Sequence, residues 1–276
     1  MERKIYYEST DNIKLCGLLN TVNNDKKIVI LCHGFYSNKY STGFNKLVKK
    51  LQSLNINSFR FDFRGLGESS GQFVETTPLK ELADLESTIE YVISLGYQDI
   101  VLLGTSFGGS IVSQLEYKKY PSIKALVLWY SVLDYQEFAK TNEELSKEKK
   151  EIADKQGYYE KTNSKGTIFK IGKDFYNEVC SLVPYKNIIN LDLPILFVHG
   201  LKDTIVPYES SVKISKMCKR PQLELIKNGN HSFTNNKKAM NEAINVTTKY
   251  IKNILNRKKI KGVVALWKRL KSNRKN

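Results

Sequence analysis

Histidine is scarce in this chain, with three among 276 residues. Any chemistry that needs an imidazole must draw on His33, His199 or His231. Cysteine is nearly as rare. Cys16, Cys32, Cys180 and Cys218 show no Cys-x-x-Cys spacing, which argues against a zinc site, and Cys16 and Cys32 fall in strand-like runs. Buried, reduced thiols are expected, as in a cytoplasmic protein. No run of eighteen apolar residues occurs, so no membrane-spanning helix is expected. The start, Met1-Glu2-Arg3-Lys4, lacks the apolar core of a signal peptide. Acidic residues are missing altogether from 257–276, where nine basic residues supply more than half of the net charge of +16.

What is present organises itself around a serine between two glycines. Gly104-Thr105-Ser106-Phe107-Gly108 follows the apolar run 100–103 and precedes a helix-compatible stretch, 110–118. This is the pattern of a nucleophile elbow, a strand-to-helix turn so sharp that the residues flanking the serine must be small. A serine hydroxyl is a weak nucleophile at neutral pH and needs a base, itself oriented by an acid. Of the three histidines, His33 and His199 end apolar strands and are expected to order structure. His231 follows a strand and the turn signal Asn228-Gly229-Asn230, in a loop able to reach the serine. Asp203, in the loop leaving the strand that ends at His199, is the leading acid, with Asp134 as the fallback. Two backbone N–H groups, those of Phe35 and Phe107, are placed to form an oxyanion hole.

These residues carry a resemblance. The chain is similar to α/β-hydrolases of the serine hydrolase branch (serine aminopeptidase S33-type) that includes monoacylglycerol lipases and cinnamoyl or feruloyl esterases. The likeness rests on His33-Gly34-Phe35 with Ser37-Asn38-Lys39, on the segment 62–69, on the elbow, on 200–207 around Asp203, and on His231-Ser232-Phe233. It covers roughly residues 1–255 and implies that Ser106 is the nucleophile, His231 the base and Asp203 the acid. It also implies that Phe35 and Phe107 supply the oxyanion donors and that 62–69 is an ordering loop. The elbow departs from the family in one respect, having Thr105 where histidine is common.

The remaining pattern agrees with an α/β fold. Two strands at about 4–9 and 13–21 form a hairpin across Asp11-Asn12. Apolar runs then follow at 28–32, 58–62, 100–104, 124–130, 194–199 and 222–227, each short enough for a parallel strand covered on both faces. Helical periodicity falls between them, at 43–54, 79–95, 109–118, 209–218 and 238–255. The expected architecture is a mostly parallel eight-stranded sheet with helices on both faces, in one hydrolase domain over 1–255. The stretch 134–190 breaks the alternation and is expected to be a cap insertion. Its charges, nine lysines against eight acidic residues over 137–174, mark a solvated helical face. Its aromatics, Tyr158, Tyr159, Phe169, Phe175 and Tyr176, either roof an acyl pocket or form the cap's own small core.

The 256–276 tail lies beyond the resemblance. As a helix it would align Ile260, Val263, Val264, Trp267 and Leu270 on one stripe, with Lys258, Lys261 and Arg269 turned away. Three readings stand together: an anchor on an anionic membrane surface, a helix docked on the body, and a disordered basic end. Nucleic acid is not an expected partner, because the body carries no recognition motif. The function expected is cofactor-free hydrolysis of a small-molecule or lipid carboxylic ester through an acyl-enzyme. Thioesterase, peptidase and a non-catalytic membrane-associated binding protein are the alternatives.

Overall fold

The computed structural model describes residues 1–163 and 166–256, so the basic stripe beyond residue 256 lies outside the described residues. An eight-stranded sheet carries the molecule. In chain order its strands are β1 (Glu2–Glu8), β2 (Lys14–Asn20), β3 (Lys27–Cys32), β4 (Asn57–Asp62), β5 (Asp99–Thr105) and β6 (Ile123–Trp129). After the two strands of a separate hairpin come β9 (Ile195–Gly200) and β10 (Pro221–Ile226). In space the order is β1-β2-β4-β3-β5-β6-β9-β10, with β1 and β2 antiparallel and the pairings from β4 to β10 parallel.

Side chains alternate across a strand, so each strand feeds two cores. Ile28, Ile30 and Cys32 of β3 pack into one, with Leu85 and Ile89 of α2 (Pro78–Ser94) and Ile111 of α3 (Phe107–Gln114). Val29 and Leu31 enter the other. There they meet Leu47 and Leu51 of α1 (Thr42–Ser53) and Ala243 and Ile251 of α9 (Lys237–Leu255). Continuous apolar runs in the sequence are thus strands buried on both faces. Helix starts follow local chemistry: Ser41, Thr77 and Asn236 accept backbone N–H groups at the first turns of α1, α2 and α9, and Pro78 opens α2.

Between β6 and β9 the chain builds α4 (Tyr135–Thr141), α5 (Lys147–Gln156), the antiparallel hairpin β7 (Tyr158–Thr162) and β8 (Ile168–Gly172), α6 (Lys173–Ser181) and α7 (Tyr185–Ile188). The charge run expected to be helical throughout changes to strand at Tyr158. Gly157, at φ 92°, terminates α5 there, and Tyr158, Tyr159 and Thr162 then favour extended backbone. After the hairpin, α8 (Tyr208–Ser215) connects β9 to β10.

Two buried ionic networks fix the loops around the strand ends. Lys39, fully buried, pairs with Asp62 and with Glu68, and Asp62 also accepts the Lys39 backbone N–H at 2.7 Å and that of Glu68 at 2.8 Å. Arg64 pairs with Asp84, which is buried, and with Asp11. The hydrogen bond from Arg64 brings the Asp11 carboxyl down to about 2, and bonds from Lys39 and Lys4 bring Glu68 to about 2. Both folded values lie below the unfolded ones of about 4. Their stabilisation is therefore complete above about pH 4 and disappears as pH falls through about 2. The thermal midpoint should accordingly drop between pH 4 and pH 2, and Asp11→Asn combined with Glu68→Gln should lower it at pH 7 while flattening that acid decline. Calorimetry across the range checks both.

Candidate active site

The parallel strands end at one edge of the sheet, and the residues singled out in the sequence gather there. Ser106 stands between β5 and α3 at φ 51°, ψ −119°, a conformation that costs an L-residue on the order of 1–3 kcal/mol and that its surroundings must impose. They do so through hydrogen bonds. The Ser106 N–H donates to Trp129 O at 2.9 Å, and Ser106 O accepts from Gly109 at 3.1 Å and Val132 at 3.2 Å. Gly108 is required for a further reason, since a Cβ there would collide with the Cys32 and His33 carbonyls.

His231 reaches the serine from the loop after β10. Its Nε2 lies 3.2 Å from Ser106 Oγ, and its Nδ1 lies 2.8 Å from Asp203 Oδ2. A carboxylate only accepts, so Nδ1 carries the proton and Nε2 offers its lone pair to the serine hydroxyl. The loops bearing Asp203 and His231 can approach because both contain glycine at the contact. A Cβ on Gly200 would collide with the backbone of Gly229, and the Lys202 N–H donates to Gly229 O at 2.8 Å. Beneath His231, Ser232 and Phe233 both adopt positive φ, which turns the Phe233 ring into a buried site against Trp129 and Tyr130. The rings of Tyr130 and His231 meet edge to face at a centroid distance of 4.7 Å.

Asp203 is shielded but richly bonded. Oδ1 accepts the N–H groups of Ile205 at 2.9 Å and Val206 at 3.0 Å. Burial acts to raise its pKa, but hydrogen bonds from His199 and His231 outweigh that and hold the carboxyl well below the usual carboxylate range. Asp134, the fallback acid, instead caps α4 by accepting the Glu137 N–H at 3.1 Å. His33 is occupied too, accepting the Phe63 N–H at 3.1 Å.

Phe35 and Phe107 flank the serine on either side. Phe107 is the first residue of α3, where the helix offers its amide no acceptor. The chain at Gly34-Phe35 lies against the elbow, close enough that a Cβ on Gly34 would stand 3.0 Å from Ser106 Cβ. Over the serine lies a cavity of about 530 Å³ whose walls include Phe35, Phe107, Tyr135, Phe138 and Phe175. Phe175 stacks on Phe35 at 4.9 Å, so of the five aromatics singled out in the sequence this one lines the cavity, while Phe169 packs on Tyr36 and Phe73. Sequence reasoning did not connect Tyr130 or His199 to the site. Only the four-residue step from His199 across Gly200 to Asp203 hinted at the second of these. Among the described residues, Cys16, Asp62 and Glu68 bring three metal-type donor atoms within 4.8 Å, but the Lys39 ammonium already bridges the two carboxylates.

Comparison with known proteins agrees with this architecture. The profile of the family described as serine aminopeptidase, S33, matches residues 23–165, and that of serine hydrolase (FSH1) matches 136–243. YfhR of Salmonella typhimurium, an uncharacterized protein, is 28% identical over 204 residues, 67% of this chain and 58% of its own length. The chain thus spans under two thirds of that relative. The mitochondrial palmitoyl-protein thioesterase ABHD10 of Bos taurus is 27% identical over 207 residues, 74% of this chain and 66% of its own. Among solved structures, Est1E of Butyrivibrio proteoclasticus with ferulic acid bound superposes with a TM-score of 0.77 at 24% identity, covering 91% of this chain and 99% of that one. Mouse ABHD10 superposes with a TM-score of 0.75 at 20% identity, over 91% and 99% of the respective chains. No described helix is long and apolar enough to cross a membrane. With its elbow serine and its mostly parallel sheet, the chain belongs to the serine aminopeptidase S33 family and has the α/β-hydrolase fold.

Proposed function

We propose that the chain cleaves carboxylic esters through an acyl-serine intermediate, with Ser106 as nucleophile, His231 as base and Asp203 as the acid that orients it. The observation that carries this reading is the unbroken path from Ser106 Oγ through the His231 ring to Asp203 Oδ2, with steps of 3.2 and 2.8 Å. In attack, the serine proton passes to His231 Nε2 as Oγ bonds to the carbonyl carbon. The carbonyl oxygen becomes an anion facing the N–H groups of Phe35 and Phe107. The same proton then moves from Nε2 to the leaving alkoxide. Water, deprotonated by His231, attacks the acyl-serine, and the proton returns to Oγ as the acid departs.

The aromatic cavity supports an acyl group with an apolar or aryl body. We propose that the segment 134–190 serves as a cap on the hydrolase domain, since it contributes Tyr135, Phe138 and Phe175 to the cavity wall. A thioester passes through the same acyl-serine, and the ABHD10 relative is a palmitoyl-protein thioesterase, so thioesters are the second reading. A lipid substrate suits the basic stripe of 257–276, which we propose meets the surface of an anionic membrane.

Ser106→Ala should lower kcat on a short-chain aryl ester by about 10⁵-fold while leaving the thermal midpoint in place. Turnover undiminished in folded protein removes the reading. Phe175→Ala should raise KM for a phenyl-bearing acyl ester about fivefold, with kcat little changed, because the stack on Phe35 is lost. Vesicles rich in phosphatidylserine should pellet the full chain but not a chain ending at Asn256, and equal pelleting of the two contradicts the membrane contact.

A further inference from the structure

His199 was expected only to end a strand, yet its ring is fully buried between the acid's loop and α8. Nδ1 lies 2.8 Å from Ser211 Oγ, and Nε2 lies 3.0 Å from Val206 O. A peptide carbonyl cannot donate, so the Val206 contact places the proton on Nε2, and Nδ1 accepts from the Ser211 hydroxyl. The tautomer is fixed by these two partners. Nε2 itself also lies 3.2 Å from Asp203 Oδ2, the oxygen that receives His231.

We propose that His199 is a positioning residue, whose Nε2–H holds the plane of the Asp203 carboxylate so that Oδ2 points at His231 Nδ1. This rests on the ester-hydrolase reading of the site. The loop N–H groups of Ile205 and Val206 grip only Oδ1, and a carboxylate held by one oxygen turns readily about its Cβ–Cγ bond. His199 Nε2 reaches the second oxygen, the same one that receives His231. Because the same N–H is shared with Val206 O, the strand end, the loop and the carboxylate are tied at one point.

The test compares His199→Phe, which keeps a ring but has no donor, with His199→Gln, whose amide N–H can reach toward the same acceptors. On a short aryl ester, the Phe variant should lose about tenfold in kcat with KM unchanged, the scale of one hydrogen bond to a charged group. The Gln variant should recover most of that loss. A folded Phe variant with wild-type kcat, or a Gln variant no faster than Phe at the same thermal midpoint, overturns the proposal. Should the Phe variant fail to fold, Ser211→Ala, which removes the hydroxyl holding Nδ1 and lets the ring swing away from Asp203, should still depress kcat, and an unchanged kcat there is equally fatal. Nitrogen-15 NMR of the histidines in the full chain reads the proton position without any substrate: Nε2–H on His199 is expected, and Nδ1–H overturns the proposal. Turnover that survives Ser106→Ala would instead fault the ester reading, leaving the NMR result to stand by itself.

Discussion

The left-handed backbone of Ser106 is the constraint on which the site depends. A residue at φ 51° persists only when its surroundings over-determine it, and here three hydrogen bonds tie that one residue to the end of β6, to the loop after it and to the first turn of α3. The turn lifts the hydroxyl above the sheet and ends β5 at the same moment. It also packs the elbow so tightly against the end of β3 that a side chain on Gly108 would strike the carbonyls of Cys32 and His33. From this follows the approach of Gly34 to the serine, with Phe35 and Phe107 both lining the cavity above it. The position of the Ser106 hydroxyl and the close approach of Gly34 are two results of one turn.

Two buried carboxylates near the strand ends illustrate different ways of keeping a charge out of water. Asp62 is neutralised by the ammonium of Lys39, which leaves a rigid loop and no free valence for chemistry. Among the described residues, no lysine or arginine pairs with Asp203, which is held by N–H donors from Ile205, Val206, His199 and His231. Its Oδ2 stands 2.8 Å from the Nδ1 of His231. A full ion pair there would hold the carboxylate equally well but would leave less of its field for His231.

Much of the architecture was legible because parallel strands buried on both faces must be continuous apolar runs, and six such runs matched β3, β4, β5, β6, β9 and β10 closely. Ser106, Asp203 and His231 were legible as residue types at strand ends, which is where this topology gathers loops. The hairpin β7–β8 was not, because Lys161 and Lys170 interrupt strand patterning with charges that suit a helix as well. The link from His199 to Asp203 escaped for another reason. Strand-end histidines usually satisfy nearby carbonyls, and this one does so at Val206 while also reaching the acid. The choice between the two fates of the aromatics was likewise a matter of packing: Phe175 faces the serine's cavity and Phe169 faces Tyr36 and Phe73.

The most direct test of the central claim is the position of a covalent adduct. The full chain is treated with a fluorophosphonate, digested, and its peptides are mapped by mass spectrometry. The account predicts one phosphonyl group per chain, on Ser106, with labelling abolished in His231→Ala. An adduct on another residue, or undiminished labelling without the imidazole, contradicts it.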